Sequence, residues 1–159
     1  MTTIATDGRT IAADGLRCAG SSIISKTEKK IRVRDGRVFA FTGLYAAFEP
    51  AIAWYLDGHE AGKQPVAEKD DSWSLIVIDK DRVLRKFSSS APWAEEFPYP
   101  QAFGIDDDFA MAAMFSGKTP AEAVALAAEH NVYTGGEILV VDIAEALGLD
   151  RMPVKIAAE

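Results

Sequence analysis

Thr2 is the residue whose chemistry stands out first. The chain opens Met1-Thr2-Thr3-Ile4-Ala5-Thr6, a β-prone run that begins directly behind the initiator methionine. Removal of Met1, which a small second residue permits, would leave Thr2 with a hydroxyl nucleophile and a free α-amine on one residue. An adjacent amine is one of the known ways to activate a weak hydroxyl. Other reactive residue types make a weaker pattern. Asp106-Asp107-Asp108 could attract a hard cation, but consecutive carboxylates rarely converge on one ion. Acids also favour helix N-termini, so capping is the expected role. The single cysteine, Cys18, excludes an internal disulfide and a multi-cysteine zinc site, and is expected to be a small buried or loop residue. His59 and His130 have no ligand spacing and are expected to face solvent. Trp54, Trp73 and Trp93 are expected in core or interface packing. Nothing in these patterns calls for a metal or a cofactor.

The elements that must position Thr2 can be read along the chain. Thr2 to Thr6 and Arg9 to Ala13 are strands around an Asp7-Gly8 turn, and the pair is a strong hairpin signal if both turn residues take positive φ. Gly15 to Gly20 reads as a glycine-flanked connection and Ser21 to Ser25 as a strand. Ile31 to Arg34 alternates aliphatic and charged residues, turns at Asp35-Gly36, and returns as Arg37 to Phe41. Leu44 to Leu56 changes to helical spacing, with Pro50 predicting a kink or a start near Glu49. After an exposed loop from Gly58 to Asp71, Ser72 to Asp79 and Arg82 to Phe87 form a third hairpin. Ser88 to Pro100 reads as irregular and Gln101 to Gly104 as a short strand. Phe109 to Phe115 and Pro120 to about Glu129 read as helices, the second with Thr119 as N-cap and Glu122 three positions later. Glu137 to Ile143 reads as a strand, and Pro153 to Ile156 in the tail reads as an edge strand. Helices grouped between antiparallel blocks predict a layered α+β architecture.

Bulk properties narrow the setting. With 159 residues and 48% apolar content, the chain suits a single domain, 1–159, with a full core. A net charge of −7 argues against nucleic acid or an anionic membrane as partner. No apolar run approaches the roughly 20 residues of a membrane helix, and nothing resembles a signal peptide. The expected compartment is the cytoplasm.

Several short pieces fall in a consistent order: Thr2-Thr3-Ile4, Ala12-Ala13-Asp14-Gly15, Lys29-Lys30-Ile31 and Thr42-Gly43. Gly104 then leads into a helix with Ala110-Met111-Ala112-Ala113, and Tyr133-Thr134-Gly135-Gly136 follows. Asp14 and Lys30 are sixteen positions apart. In these motifs the chain resembles the proteasome-type peptidases of the N-terminal nucleophile hydrolase superfamily, especially the bacterial proteasome-related peptidase that works with a ring ATPase.

The resemblance implies a four-layer αββα sandwich and threonine-type hydrolysis of peptide bonds. Thr2 would be the nucleophile and Lys30 would sit beside its Oγ, favouring the deprotonated hydroxyl and the neutral amine. Asp14 would hold and charge-balance Lys30. Gly43 would offer its backbone N–H to the oxyanion, and Thr134 would place a hydroxyl near the amino terminus. The resemblance further implies a homo-oligomer of stacked rings, peptide or unfolded-protein substrates, and a ring ATPase unfoldase as partner. Three features depart from the family: Ile105 where a serine is common, Asp106 to Asp108 in place of small residues, and Asn131 where many members have aspartate. All three fall on groups that support the terminal amine. They favour an alternative, a catalytically silent scaffold of the same fold, as would retention of Met1. A small-molecule amidohydrolase is a third reading.

Overall fold

Period-two alternation builds two sheets, each with one face toward the other. The computed structural model describes residues 1–91 and 93–150. Strands β1 (Thr3–Thr6) and β2 (Thr10–Ala13) form a hairpin near the start of the chain. Ile4, Ile11 and Ala13 point to one side and Ala5 and Ala12 to the other. The two-stranded ribbon β3 (Arg17–Ala19) and β4 (Ser22–Ser25) follows, then β5 (Ile31–Arg34) and β6 (Arg37–Gly43). Val38 and Ala40 of β6 face the first sheet, while Phe39 and Phe41 face away.

A single 3-10 turn leads into helix α1 (Phe48–Leu56). Pro50 lies in the first turn of α1, where its missing N–H has no intrahelical partner to lose, so the helix starts there without a kink. Strands β7 (Trp73–Ile78), β8 (Leu84–Ser88) and β9 (Glu95–Phe97) complete an antiparallel five-stranded sheet in the order β5-β6-β7-β8-β9. Strand β10 (Gln101–Gly104), helices α2 (Asp107–Phe115) and α3 (Pro120–His130), β11 (Leu139–Asp142) and the short helix α4 (Ile143–Leu147) follow. The first sheet is ordered β10-β1-β2-β11, again antiparallel throughout.

The layers follow from what each face buries. Between the sheets lie Ile4, Ile11, Ile31, Ile76, Ile78 and Leu84, closed at one end by Ile143 and Leu147 of α4. Outside the first sheet, Ala110 and Met114 of α2 and Ala123 and Val124 of α3 pack on Ala5, Ala12 and Ala102. Alanines on that strand face let the two helices approach closely. Outside the second sheet, Phe48, Ile52 and Tyr55 of α1 pack on Phe39, Phe41, Leu75 and Val77. The result is the expected αββα sandwich.

Four local expectations change. The Asp35-Gly36 turn has positive φ at both residues, 50° and 64°, as a primed turn requires. Asp7 does not. Its carboxylate accepts from the N–H groups of Arg9 and Thr10, both at 2.9 Å, so the first hairpin closes through a side-chain-stabilised turn. Arg17–Ala19 and Glu95–Phe97 are strands where a connection and an irregular stretch were expected. Trp73 is buried and Trp54 packs at the edge of the α1 layer, but Trp93 is exposed. His130 stacks on Phe109 and His59 on Tyr55, both at the surface. The edge strand expected at Pro153 to Ile156 lies outside the described residues.

Candidate active site

Thr2 lies at the head of β1, against the last residues of β10. The Ile105 N–H donates to the Thr2 carbonyl at 2.9 Å, and Thr3 pairs with Gly104. Gly104 has φ +105°, and a Cβ there would collide with the Thr2 carbonyl oxygen. Only glycine lets β10 close this near the residue that carries the hydroxyl. Gly104→Ala is therefore expected to push Thr2 out of place. Overpacking and left-handed strain together cost about 3 kcal/mol. Denaturant unfolding of the variant checks that number.

Asp14 is the centre of the support under Thr2. It follows β2 directly and is 1% exposed. Its Oδ1 accepts from the Thr3 N–H at 3.0 Å and from Lys30 Nζ at 3.1 Å. Its Oδ2 accepts from the Leu16 N–H at 3.3 Å and the Gly135 N–H at 3.2 Å. One carboxylate thus ties together β1, the end of β2, the approach to β5 and the loop before β11.

Lys30, 4% exposed, precedes β5 and turns its ammonium into this centre. Besides Asp14, its Nζ donates to the Leu16 carbonyl at 2.6 Å and the Met1 carbonyl at 3.0 Å. Burial pushes the Lys30 ammonium below its usual range, and the Asp14 carboxylate opposes that shift. The Thr2 side chain itself makes no hydrogen bond to the described residues, and the Lys30 ammonium is bonded to Asp14, Leu16 and Met1 instead.

Thr134 is buried in the loop after α3, and its hydroxyl meets Thr3 Oγ, not Thr2, at 2.8 Å. It also donates to Asp106 Oδ2 at 2.8 Å. Asp106 stands just ahead of α2 without using its side chain to cap that helix. The expected capping role therefore fails for Asp106, because Thr134 and the Asn131 amide take both carboxylate oxygens. Asp107 and Asp108 do lie in the first turn of α2, where the helix dipole favours them. Among the described residues no acidic, histidine or cysteine cluster could hold a metal.

A cavity of about 290 Å³ opens beside Thr2, lined by Met1, Lys30, Gly43, Glu28 and Tyr45 among others. Gly43 ends β6 on its far wall, where a Cβ would collide with the Ser72 carbonyl. Burial pushes the Tyr45 phenol up, Glu28 adds to this and Arg32 opposes it. A second cavity of about 290 Å³ lies beyond Met1, against Cys18, Gly20 and Tyr133. Met1 lines both. Thr2, Lys30 and Gly43 thus share one cavity, Asp14 sits beneath it, and Thr134 supports Thr3. Two members were not singled out in the sequence as site residues, Asp106 and Thr3. The reciprocal signal was there, an aspartate after Gly104 and an amide at Asn131.

No protein-family profile matches the sequence, and no curated protein matches it. Solved structures do match the fold. Thiobacillus denitrificans BPH in complex with epoxomicin superimposes with a TM-score of 0.61 at 18% identity, covering 90% of this chain and 99% of that one. A second structure of Thiobacillus denitrificans BPH gives 0.60 at 20% identity, with 89% and 97% coverage. Eukaryotic HslV from Trypanosoma brucei gives 0.65 at 16% identity, with 89% and 99% coverage. The fold is that of the proteasome-type peptidases. At these identities the likeness is one of fold, and the chemistry has to be argued from this chain's own residues. No helix among the described residues is long and apolar enough to cross a membrane.

Proposed function

We propose that this chain is a threonine-type peptidase subunit whose nucleophile is Thr2, freed by removal of Met1. One observation carries the reading: the buried Lys30 ammonium reaches both Asp14 and the carbonyl of the Met1–Thr2 peptide bond, beside a cavity shared by Thr2 and Gly43. Cleaving that bond removes an acceptor of Lys30 and leaves a new amine in its place. The free α-amine has an ordinary pKa of about 8, and the nearby ammonium lowers it toward neutrality while favouring an alkoxide at Oγ.

The steps balance as acyl transfer. The amine takes the Oγ proton as Oγ attacks the substrate carbonyl, and the Gly43 N–H stabilises the oxyanion that forms. The tetrahedral adduct expels the leaving amine, which takes the proton back from the α-ammonium, and an ester on Thr2 remains. Water, deprotonated by the same amine, hydrolyses that ester and releases the carboxyl product. Met1 lines both cavities together with Leu16 and Cys18, so its removal is expected to enlarge the space beside Thr2. Stacked rings, an ATP-driven unfolding partner and peptide or unfolded-protein substrates complete the proposal. Exposed Phe115, Val132 and Tyr133 on α2 and the loop after α3 are compatible with packing between copies.

The rival, a silent scaffold, is favoured by Ile105 to Asp108 and Asn131, which depart from the pattern of the peptidases that the chain resembles. Intact mass followed by a fluorogenic peptide assay separates the two. Protein lighter by one methionine is expected to hydrolyse the peptide, and protein retaining Met1 is expected to be inert. Epoxomicin, which occupies the Thiobacillus complex, is expected to inhibit the Met1-free form. A fully processed protein without hydrolysis would decide for the scaffold.

A further inference from the structure

Glu28 lines the cavity beside Thr2 as a half-buried anion that is loosely held. Its side chain is 16% exposed, and among the described residues its one ion pair is with Arg17, at 3.7 Å. That separation is too long for a direct hydrogen bond, and the Arg17 side chain is 45% exposed. An ion pair of this kind contributes little, because water screens it and the arginine loses little by leaving.

The other cations nearby have anions of their own. The Glu28 carboxylate acts on Lys30 more weakly than Asp14 does, and the ammonium is bonded to Asp14 and two carbonyls. Arg32 pairs with Glu49 and lies over the Phe48 ring at 4.3 Å. Arg32 also donates to the Tyr45 hydroxyl at 2.8 Å, so the phenol oxygen accepts there and its own proton is left to point elsewhere. After burial, the Glu28 carboxylate is the next cause that pushes the Tyr45 phenol up, which sets the two groups face to face. The Arg17 guanidinium lies over the same ring at 4.9 Å and keeps that partner if it gives up the carboxylate.

Much of the remaining lining is apolar, through Leu16, Phe41, Leu44 and Ala46. A lysine or arginine side chain has the matching build, an apolar stem that ends in a charge. An acidic side chain would bring its charge against Glu28, and an aliphatic one would gain nothing from it. Charge and lining point to the same ligand.

We propose that Glu28 is a specificity-determining residue, selecting substrates with lysine or arginine at the residue whose carbonyl Thr2 attacks. The inference rests on the reading of Thr2 as nucleophile and names the substrate class of that site. The basic stem packs on the apolar lining, its charged end takes Glu28, and Arg17 turns outward over the Tyr45 ring. Tyr45 holds the carboxylate in place.

The test compares acetyl-Ala-Ala-X coumarin amides, with X lysine, norleucine or glutamate, on Met1-free protein. Lysine is expected to exceed norleucine in kcat/KM by about tenfold, with glutamate below both. In Glu28→Gln the lysine-to-norleucine ratio is expected to fall to about one, and in Glu28→Asp to stay well above it. In Arg17→Gln the ratio is expected to rise about twofold, because the competing cation is gone. A merely structural role for Glu28 would slow every peptide together and leave the ratio unmoved, which overturns the proposal. A preference for glutamate that Arg17→Gln abolishes overturns it too, since Arg17 would then be the selecting charge. If Glu28→Gln does not fold, Arg17→Gln decides: a raised ratio supports the proposal and an unchanged one overturns it. Failure of the peptidase reading looks different, since no peptide is then hydrolysed. The ratio is in that case read as binding of fluorescein-labelled peptides of the same sequences, ending in a plain amide, by fluorescence anisotropy. A lysine preference that Glu28→Gln removes still supports Glu28 as the selecting charge, and equal or absent binding overturns it.

Discussion

Met1-free protein carrying Thr2→Ala is expected to lose at least about a thousandfold in peptide hydrolysis while unfolding at nearly the parental denaturant concentration. The two halves of the result have different causes. The hydroxyl is the only nucleophile in the proposed acyl transfer, and the α-amine left on alanine has no proton to take from it. Stability is spared because the Thr2 side chain makes no hydrogen bond to the described residues, and the backbone bond from Ile105 survives the change. The lost methyl and hydroxyl of one nearly buried residue cost less than about 1 kcal/mol. Thr2→Ser keeps hydroxyl and amine together and is expected to remain active. Unchanged hydrolysis in Thr2→Ala, measured on protein whose mass shows Met1 gone, would exclude Thr2 as nucleophile. A large stability loss would show instead that the hydroxyl has a structural partner in the processed form.

What the sequence disclosed about this site depended on how local the governing forces were. Alternation in Ile31 to Arg34 and Arg37 to Phe41 was sufficient to place those strands, because each buries one face between the sheets. Thr119 was legible as a cap because its hydroxyl accepts from the Glu122 N–H three residues on, a bond within one turn. Glu95–Phe97 was hidden for the opposite reason. Its glutamates pair across strands with Lys86 and Arg85, so charge holds an edge strand that lacks an apolar alternation. Arg17–Ala19 is three residues long and ends between glycine-rich turns, too short for any period to register. Within the site, the spacing of Asp14 and Lys30 anticipated a real ion pair. Asp106 was misread because a local rule, acid at a helix start, was overridden by partners 25 and 28 residues away. The contact of Thr134 with Thr3 and not Thr2 is a matter of strand face, which motif order alone does not specify.

Within the buried ion pair, Asp14→Ala is expected to destabilise the fold more than Lys30→Met. Both break the 3.1 Å contact between a carboxylate and an ammonium that water scarcely reaches. Removing one partner of such a pair costs about 3–5 kcal/mol, but the two removals strand different groups. Without Lys30, the Asp14 carboxylate keeps the N–H groups of Thr3, Leu16 and Gly135, so three donors still solvate the charge. The methionine side chain fills most of the vacated stem volume. Only the carbonyls of Leu16 and Met1 lose a donor, and in processed protein only Leu16 does. Without Asp14, those three backbone N–H groups lose their acceptor together, each at about 1–3 kcal/mol if water cannot replace it. Lys30 is then a buried cation, already pushed toward neutrality by its surroundings and relieved of the carboxylate that opposed this. Asp14→Ala is therefore placed at or above the top of that range and Lys30→Met near its lower end. Urea unfolding of both single variants and the double measures the order directly. The double variant should cost less than the sum of the singles, because each single leaves a charge that the other change removes. A larger loss in Lys30→Met would mean that Asp14 holds the amino terminus through Lys30 and not through the backbone. Catalysis should respond in a different order. Lys30→Met removes the cation that sets both the amine and the hydroxyl of Thr2, so turnover should collapse even where the fold survives.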